Sequence, residues 1–121
     1  MKDNHHNILL VRFGIYYGTV NKTLRVRFND DGVFAFLGEK PTSKWLELTD
    51  FLPEVVGIED EIRRIINGDR EEYSILSVNR NNGGEIFFNI YFLCNNAAPG
   101  TCVIVVKDLT TELLFRQAIQ Q

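Results

Sequence analysis

Few residues in this chain have types and spacing that could do chemistry. Cys94 and Cys102 are the only cysteines. They could form a redox pair, or serve as small apolar core residues, which is how free cysteine is usually found. No Lys or His stands beside either in sequence to lower a thiol pKa. His5 and His6 are the only histidines and sit in a polar stretch beside Asp3. A metal site there would need further ligands. With both histidines so placed, no Ser/His/Asp set can be assembled. Glu59, Asp60 and Glu61 form the closest carboxylate cluster, which the first turn of a helix explains more simply than acid–base catalysis. No Gly-rich loop followed by Lys is present to cradle phosphate. The chain therefore reads as a non-enzyme. Trp45, Phe51, Tyr73, Phe88 and Phe92 could line an apolar pocket or fill a core.

The elements that must position these residues follow from patterning. The 121 residues form one domain, large enough for a core without staples. Thirteen Lys plus Arg against 16 Asp plus Glu give a net charge of -3, with no basic block, so nucleic-acid binding lacks its electrostatic footprint. No apolar run is long enough to span a membrane. The first residues lack a signal-peptide pattern. Two cysteines do not make a disulfide framework, which points to a reducing cytoplasm.

Ile8–Tyr17 is rich in β-branched and aromatic residues and reads as a strand. Thr23–Phe28 alternates as a half-buried strand, and Asn29-Asp30-Asp31-Gly32 reads as a turn into a second strand, Val33–Leu37. Lys44–Val56 reads as short helical pieces broken at Pro53. Ile58–Asn67 is the clearest helix, with Ile58, Ile62, Ile65 and Ile66 in one stripe and Gly68 as the stop. Tyr73–Arg80, Glu85–Cys94 and Thr101–Lys107 read as three further strands, with turns at Asn81–Gly84 and Asn95–Gly100. Symmetric pairing about the second of these turns sets Cys94 beside Cys102, Phe92 beside Ile104 and Ile90 beside Val106. That face should be the core. The opposite face carries Phe87, Tyr91, Leu93, Val103 and Val105, too apolar to be left in water. Either the N-terminal segment or a second subunit should cover it, and a homodimer through this face is expected. After the last strand, Asp108-Leu109-Thr110 leads into a helical run from Thr111 to Gln121, with Leu114, Phe115, Ala118 and Ile119 at helical spacing. Thr110 has the chemistry of its N-cap.

This order, two strands, a helical middle, three antiparallel strands and an exit helix, resembles the PAS (Per-Arnt-Sim) sensor family of bacteria. The phrase Leu48-Thr49-Asp50-Phe51-Leu52-Pro53-Glu54-Val55-Val56-Gly57, followed by an acidic-start helix and then Val78-Asn79-Arg80, is similar to a subset of bacterial PAS domains. The triplet Asp108-Leu109-Thr110 resembles the family's Asp-x-Thr hinge, with Thr111 where Glu often stands. The resemblance implies an α+β fold: a five-stranded antiparallel sheet with helices on one face and a C-terminal exit helix. It divides the chain into a cap or extra strand (residues 1–22), a PAS-like core (23–109) and the start of a signalling helix (110–121). It implies a sensory domain of a longer signal-transduction protein, passing a ligand- or partner-induced change to an output domain such as a histidine kinase or nucleotide cyclase. The alternative is a dimerisation module with a filled core. The family binds ligands between helices and sheet, where Trp45, Phe51, Tyr73, Phe88 and Phe92 would lie. Ile58–Asn67 lacks the helix histidine of haem-binding members. No Cys precedes Cys94, so the Asn-Cys-Arg-Phe photochemistry of covalent-flavin members has no counterpart. Any other ligand stays unnamed.

Overall fold

The computed structural model describes residues 13–81, 84–110, 112, 113, 116 and 119. Strands β1 (Ile15–Val20) and β2 (Arg25–Phe28) come first, then helix α1 (Gly32–Leu37). A two-residue strand β3 (Leu46–Glu47), helix α2 (Leu48–Phe51) and a 3-10 turn (Pro53–Val55) make up the irregular middle. Helix α3 (Glu59–Ile66) precedes three long strands, β4 (Glu72–Asn81), β5 (Glu85–Cys94) and β6 (Cys102–Asp108). All pairings are antiparallel, and the order across the sheet is β3-β2-β1-β6-β5-β4. The first and last long strands thus meet at the centre.

The β5–β6 register is as the patterning predicts: Cys94 opposite Cys102, Phe92 opposite Ile104, Ile90 opposite Val106. Phe88, Ile90, Phe92, Ile104 and Val106 are wholly buried, and Ile62, Ile65 and Ile66 of α3 join the same core.

Three expectations change. Among the described residues the sheet has six strands where five were expected: Val33–Leu37 is not in it, while Ile15–Val20 and, at the edge, Leu46–Glu47 are. The N-terminal strand, expected as a cap or extra strand at Ile8–Tyr17, joins the sheet further along the chain. Its described part, Ile15–Val20, is central, pairing with β2 on one side and β6 on the other; Ile8 to Arg12 lie outside the described residues. Val33–Leu37 is not a strand but belongs to α1. Its composition favours strand, yet a helix places Val33, Phe34 and Leu37 on one side, and all three are buried. Strand alternation would have put Phe34 on the side opposite Val33 and Leu37. The Asp30 carboxylate takes the Gly32 N–H at 2.6 Å at the helix start. Gly38 and Glu39 donate back to Ala35 and Phe34 carbonyls at its end.

The β1–β2 hairpin turns at Asn21–Leu24. The Asn21 side-chain oxygen accepts from the Thr23 and Arg25 N–H groups and from the Thr23 hydroxyl. Gly18 lets the two strands approach closely: a Cβ there would lie 2.5 Å from the Arg27 carbonyl oxygen.

Candidate functional site

At the end of β6 the chain turns a corner held on both sides. The Asp108 N–H donates to the Gly14 carbonyl at 2.8 Å, and the Leu109 N–H donates to the Phe87 carbonyl at 2.8 Å. The Thr110 hydroxyl accepts from the Phe87 N–H at 3.0 Å and lies 3.3 Å from the Phe87 carbonyl, to which it can donate. The Thr110 N–H donates to the Asp108 carboxylate at 2.8 Å. Leu113 then donates to the Leu109 carbonyl at 2.9 Å, a first helical turn. The cap therefore differs from the expected one. Asp108 caps the turn, as a short carboxylate two residues before a free N–H does well. The Thr110 hydroxyl is committed to β5 instead. Of the exit helix, Thr111, Leu114, Phe115 and Ala118 lie outside the described residues.

Gly14 is required on the β1 side of this corner. Its φ is 71°, and a Cβ there would lie 2.9 Å from Asp108 Cβ. Two residues on, Tyr16 is half-buried and stacks on Phe36 of α1 at 5.7 Å. Burial, and then the carboxylates of Asp108 and Asp30, push its phenol above the ordinary tyrosine value. The ring lies against α1 at both Gly32 and Phe36. Sequence reasoning missed Tyr16, having placed it in a peripheral strand. The signal available was Gly14-Ile15-Tyr16-Tyr17-Gly18, aromatics between two glycines.

Four of the five aromatics expected to line one pocket meet at the core: Phe51, Phe88 and Phe92 are buried in it, and Tyr73, opposite Phe92, packs against it. Phe88 and Phe92 are wholly buried, with Phe36 edge-on to Phe88 at 5.7 Å. Trp45 lies under the Arg27 guanidinium at 4.7 Å, and Tyr73 under that of Arg70 at 5.0 Å. Phe51 alone lines an open cleft of about 550 Å³, with Phe34 and Leu46 as floor and Lys40, Glu47 and Asp50 at the rim. Phe28, Phe34 and Phe51 form an aromatic cluster beneath it, with centroids 5.4 to 6.3 Å apart.

Arg80, near the end of β4, ties the helical layer to the sheet. Its guanidinium makes a two-pronged ion pair with Glu54 at 2.6 and 2.7 Å and lies 5.4 Å over the Phe88 ring. Burial raises the Glu54 pKa, but the Arg80 and backbone hydrogen bonds and the Arg80 charge outweigh it, so the net shift is downward.

The other face of the sheet carries the five apolar residues expected there. Tyr91 faces Val105 and Leu93 faces Val103, while Tyr17 and Thr19 of β1 meet the same two valines from the far side. Phe87, Tyr91, Leu93, Val103 and Val105 are all half-buried. Asn89 sits among them. Its oxygen accepts the Ser77 N–H at 2.8 Å, pinning a bulge between Ile75 and Val78, and its amide donates to the Tyr91 hydroxyl at 2.7 Å.

Among the described residues no group of three or more His, Cys, Asp and Glu is arranged to hold a metal. No described helix is long and apolar enough to cross a membrane. No family model and no curated protein matches the sequence. Among solved structures, an RNA-binding light-oxygen-voltage receptor is similar, with a TM-score of 0.55 over 88% of this chain at 14% identity. The chain spans 33% of that receptor's length. Light-oxygen-voltage domains belong to the PAS superfamily, and the likeness, with the six-stranded antiparallel sheet and its few helices, shows a PAS-like fold.

Proposed function

We propose that this chain is a sensory or regulatory domain of a bacterial signal-transduction protein, acting from the cytoplasm on a covalently attached output domain such as a histidine kinase or nucleotide cyclase. The domain does no catalysis itself. The observation that carries this reading is the corner at Asp108-Leu109-Thr110. It is hydrogen-bonded to β5 and to Gly14 just before β1, and the Asp108 charge acts on Tyr16, which stacks on Phe36 of α1. A shift of α1 or of β5 therefore has a short mechanical route to the chain leaving the sheet. The cleft over Phe34 and Phe51 is where a small ligand would act on α1.

The test is an output assay of the intact protein, with and without stimulus, in which Asp108 and Thr110 are both replaced by Ala. Loss of the stimulus-dependent difference is expected. A response equal to wild type would sink the proposal.

The second reading is a dimerisation module that binds no ligand, and the observation favouring it is the complete burial of Phe88, Ile90 and Phe92. In that reading a second copy covers Phe87, Tyr91, Leu93, Val103 and Val105. Native mass spectrometry of the purified protein separates the two: a retained small molecule favours the sensor, and an unliganded dimer favours the module.

A further inference from the structure

Cys94 and Cys102 are directly opposite on β5 and β6. The Cys94 N–H donates to the Glu71 carbonyl at 2.9 Å, away from β6. In an antiparallel strand a residue's N–H and C=O point to the same side, so Cys94 makes no backbone bond to Cys102. Phe87 agrees with this alternation: its N–H and C=O both face the β6 side, toward Thr110 and Leu109. The cysteines are thus a non-hydrogen-bonded pair, the class with Cα atoms about 4.5 Å apart. Disulfides span Cα separations of roughly 4.4 to 6.8 Å. Both side chains leave the sheet on the core face. Cys102 is wholly buried, and Cys94 packs half-buried against the same core. Burial, then the neighbouring Cys94 sulfur, push the Cys102 thiol up to about 12. Cys94 is the accessible partner, for it lines an open cleft of about 350 Å³ with Lys22, Asn95, Asn96, Gly100 and Thr101.

The geometry points to an oxidation site: an intramolecular Cys94–Cys102 disulfide, formed when a peroxide reaches Cys94 through this cleft. The Cys94 sulfur attacks one peroxide oxygen and the O–O bond breaks. Cys94 becomes a sulfenic acid, and the departing hydroxide leaves with the thiol proton as water. The Cys102 sulfur then attacks the Cys94 sulfur. The S–S bond forms, the S–O bond breaks, and the Cys102 proton leaves with that hydroxide as a second water. Two thiols lose two electrons and the peroxide gains them. The staple would lock the end of β6 opposite Asp108. This site stands independently of any signalling role for the corner.

The test uses the reduced chain and graded hydrogen peroxide, followed by thiol labelling under denaturing conditions and peptide mapping. Both thiols should vanish together, with a mass lower by two hydrogens, a linked Cys94–Cys102 peptide, and full recovery with dithiothreitol. Cys102→Ala should stop at a Cys94 sulfenic acid that dimedone traps. Oxidation of Cys94 to sulfinic acid with Cys102 still free, or a disulfide between two chains on a non-reducing gel, would overturn the proposal. The wild-type measurement decides the matter even if the variant folds poorly.

Discussion

Arg80 and Glu54 show how much one pair of side chains decides. Their side chains are 17% and 21% exposed, so removing one leaves a poorly solvated charge rather than a free surface group. Arg80→Met should cost about 2 kcal/mol in urea unfolding, somewhat under the loss for a fully buried pair. The pH dependence follows from the lowered Glu54 pKa. A depressed carboxylate contributes stability above its unfolded value and loses it as pH falls through the folded one. The gap between wild type and Arg80→Met should therefore be full at neutral pH and close in acid, below the ordinary carboxylate range. A gap that persists there would mean the arginine acts by packing on Phe88 alone. At the corner, Thr110→Ala removes the hydroxyl bonds to Phe87 and should cost about 1 kcal/mol, leaving the core cooperative in thermal melts.

At the scale of elements, the β1–β2 hairpin depends on a missing side chain. Gly18→Ala would drive a methyl against the Arg27 carbonyl and Phe28 Cα, both backbone atoms that cannot swing aside. A loss of at least ~2 kcal/mol is expected in denaturant unfolding, and a neutral result would show that β1 and β2 can separate there. Strands β5 and β6 and helix α3 were legible from sequence because each carries a period matched to one buried face, and β4 because its half-buried residues alternate on either side of a bulge. Val33–Leu37 was not. Its residues suit either period, and the choice fell to how many of them each conformation could bury. The N-terminal strand was legible as a strand but not as a central one, since strand order depends on contacts far apart in sequence.

Over the whole molecule, the even-numbered face of β5 is the inside of the protein. Ile90→Asp would place an unpaired charge where exposure is zero, and the domain should fail to melt cooperatively. The opposite face offers the sharpest test of the proposed dimer. Tyr91→Glu should move the mass seen in sedimentation from dimer to monomer without unfolding the sheet. A wild type that is monomeric at high concentration would sink that proposal. Sequence by itself determined the α+β class, the β5–β6 register with its facing cysteines, the buried face and the position of the corner after β6. These rest on period and turn chemistry within short spans. Tertiary structure alone decided that β1 and β6 adjoin, that Thr110 serves β5 while Asp108 caps, that Arg80 reaches Glu54, and that Trp45 packs under Arg27 rather than in the core. Each of those depends on which distant groups meet when the core closes, and the spacing of residues along a chain does not encode that meeting locally.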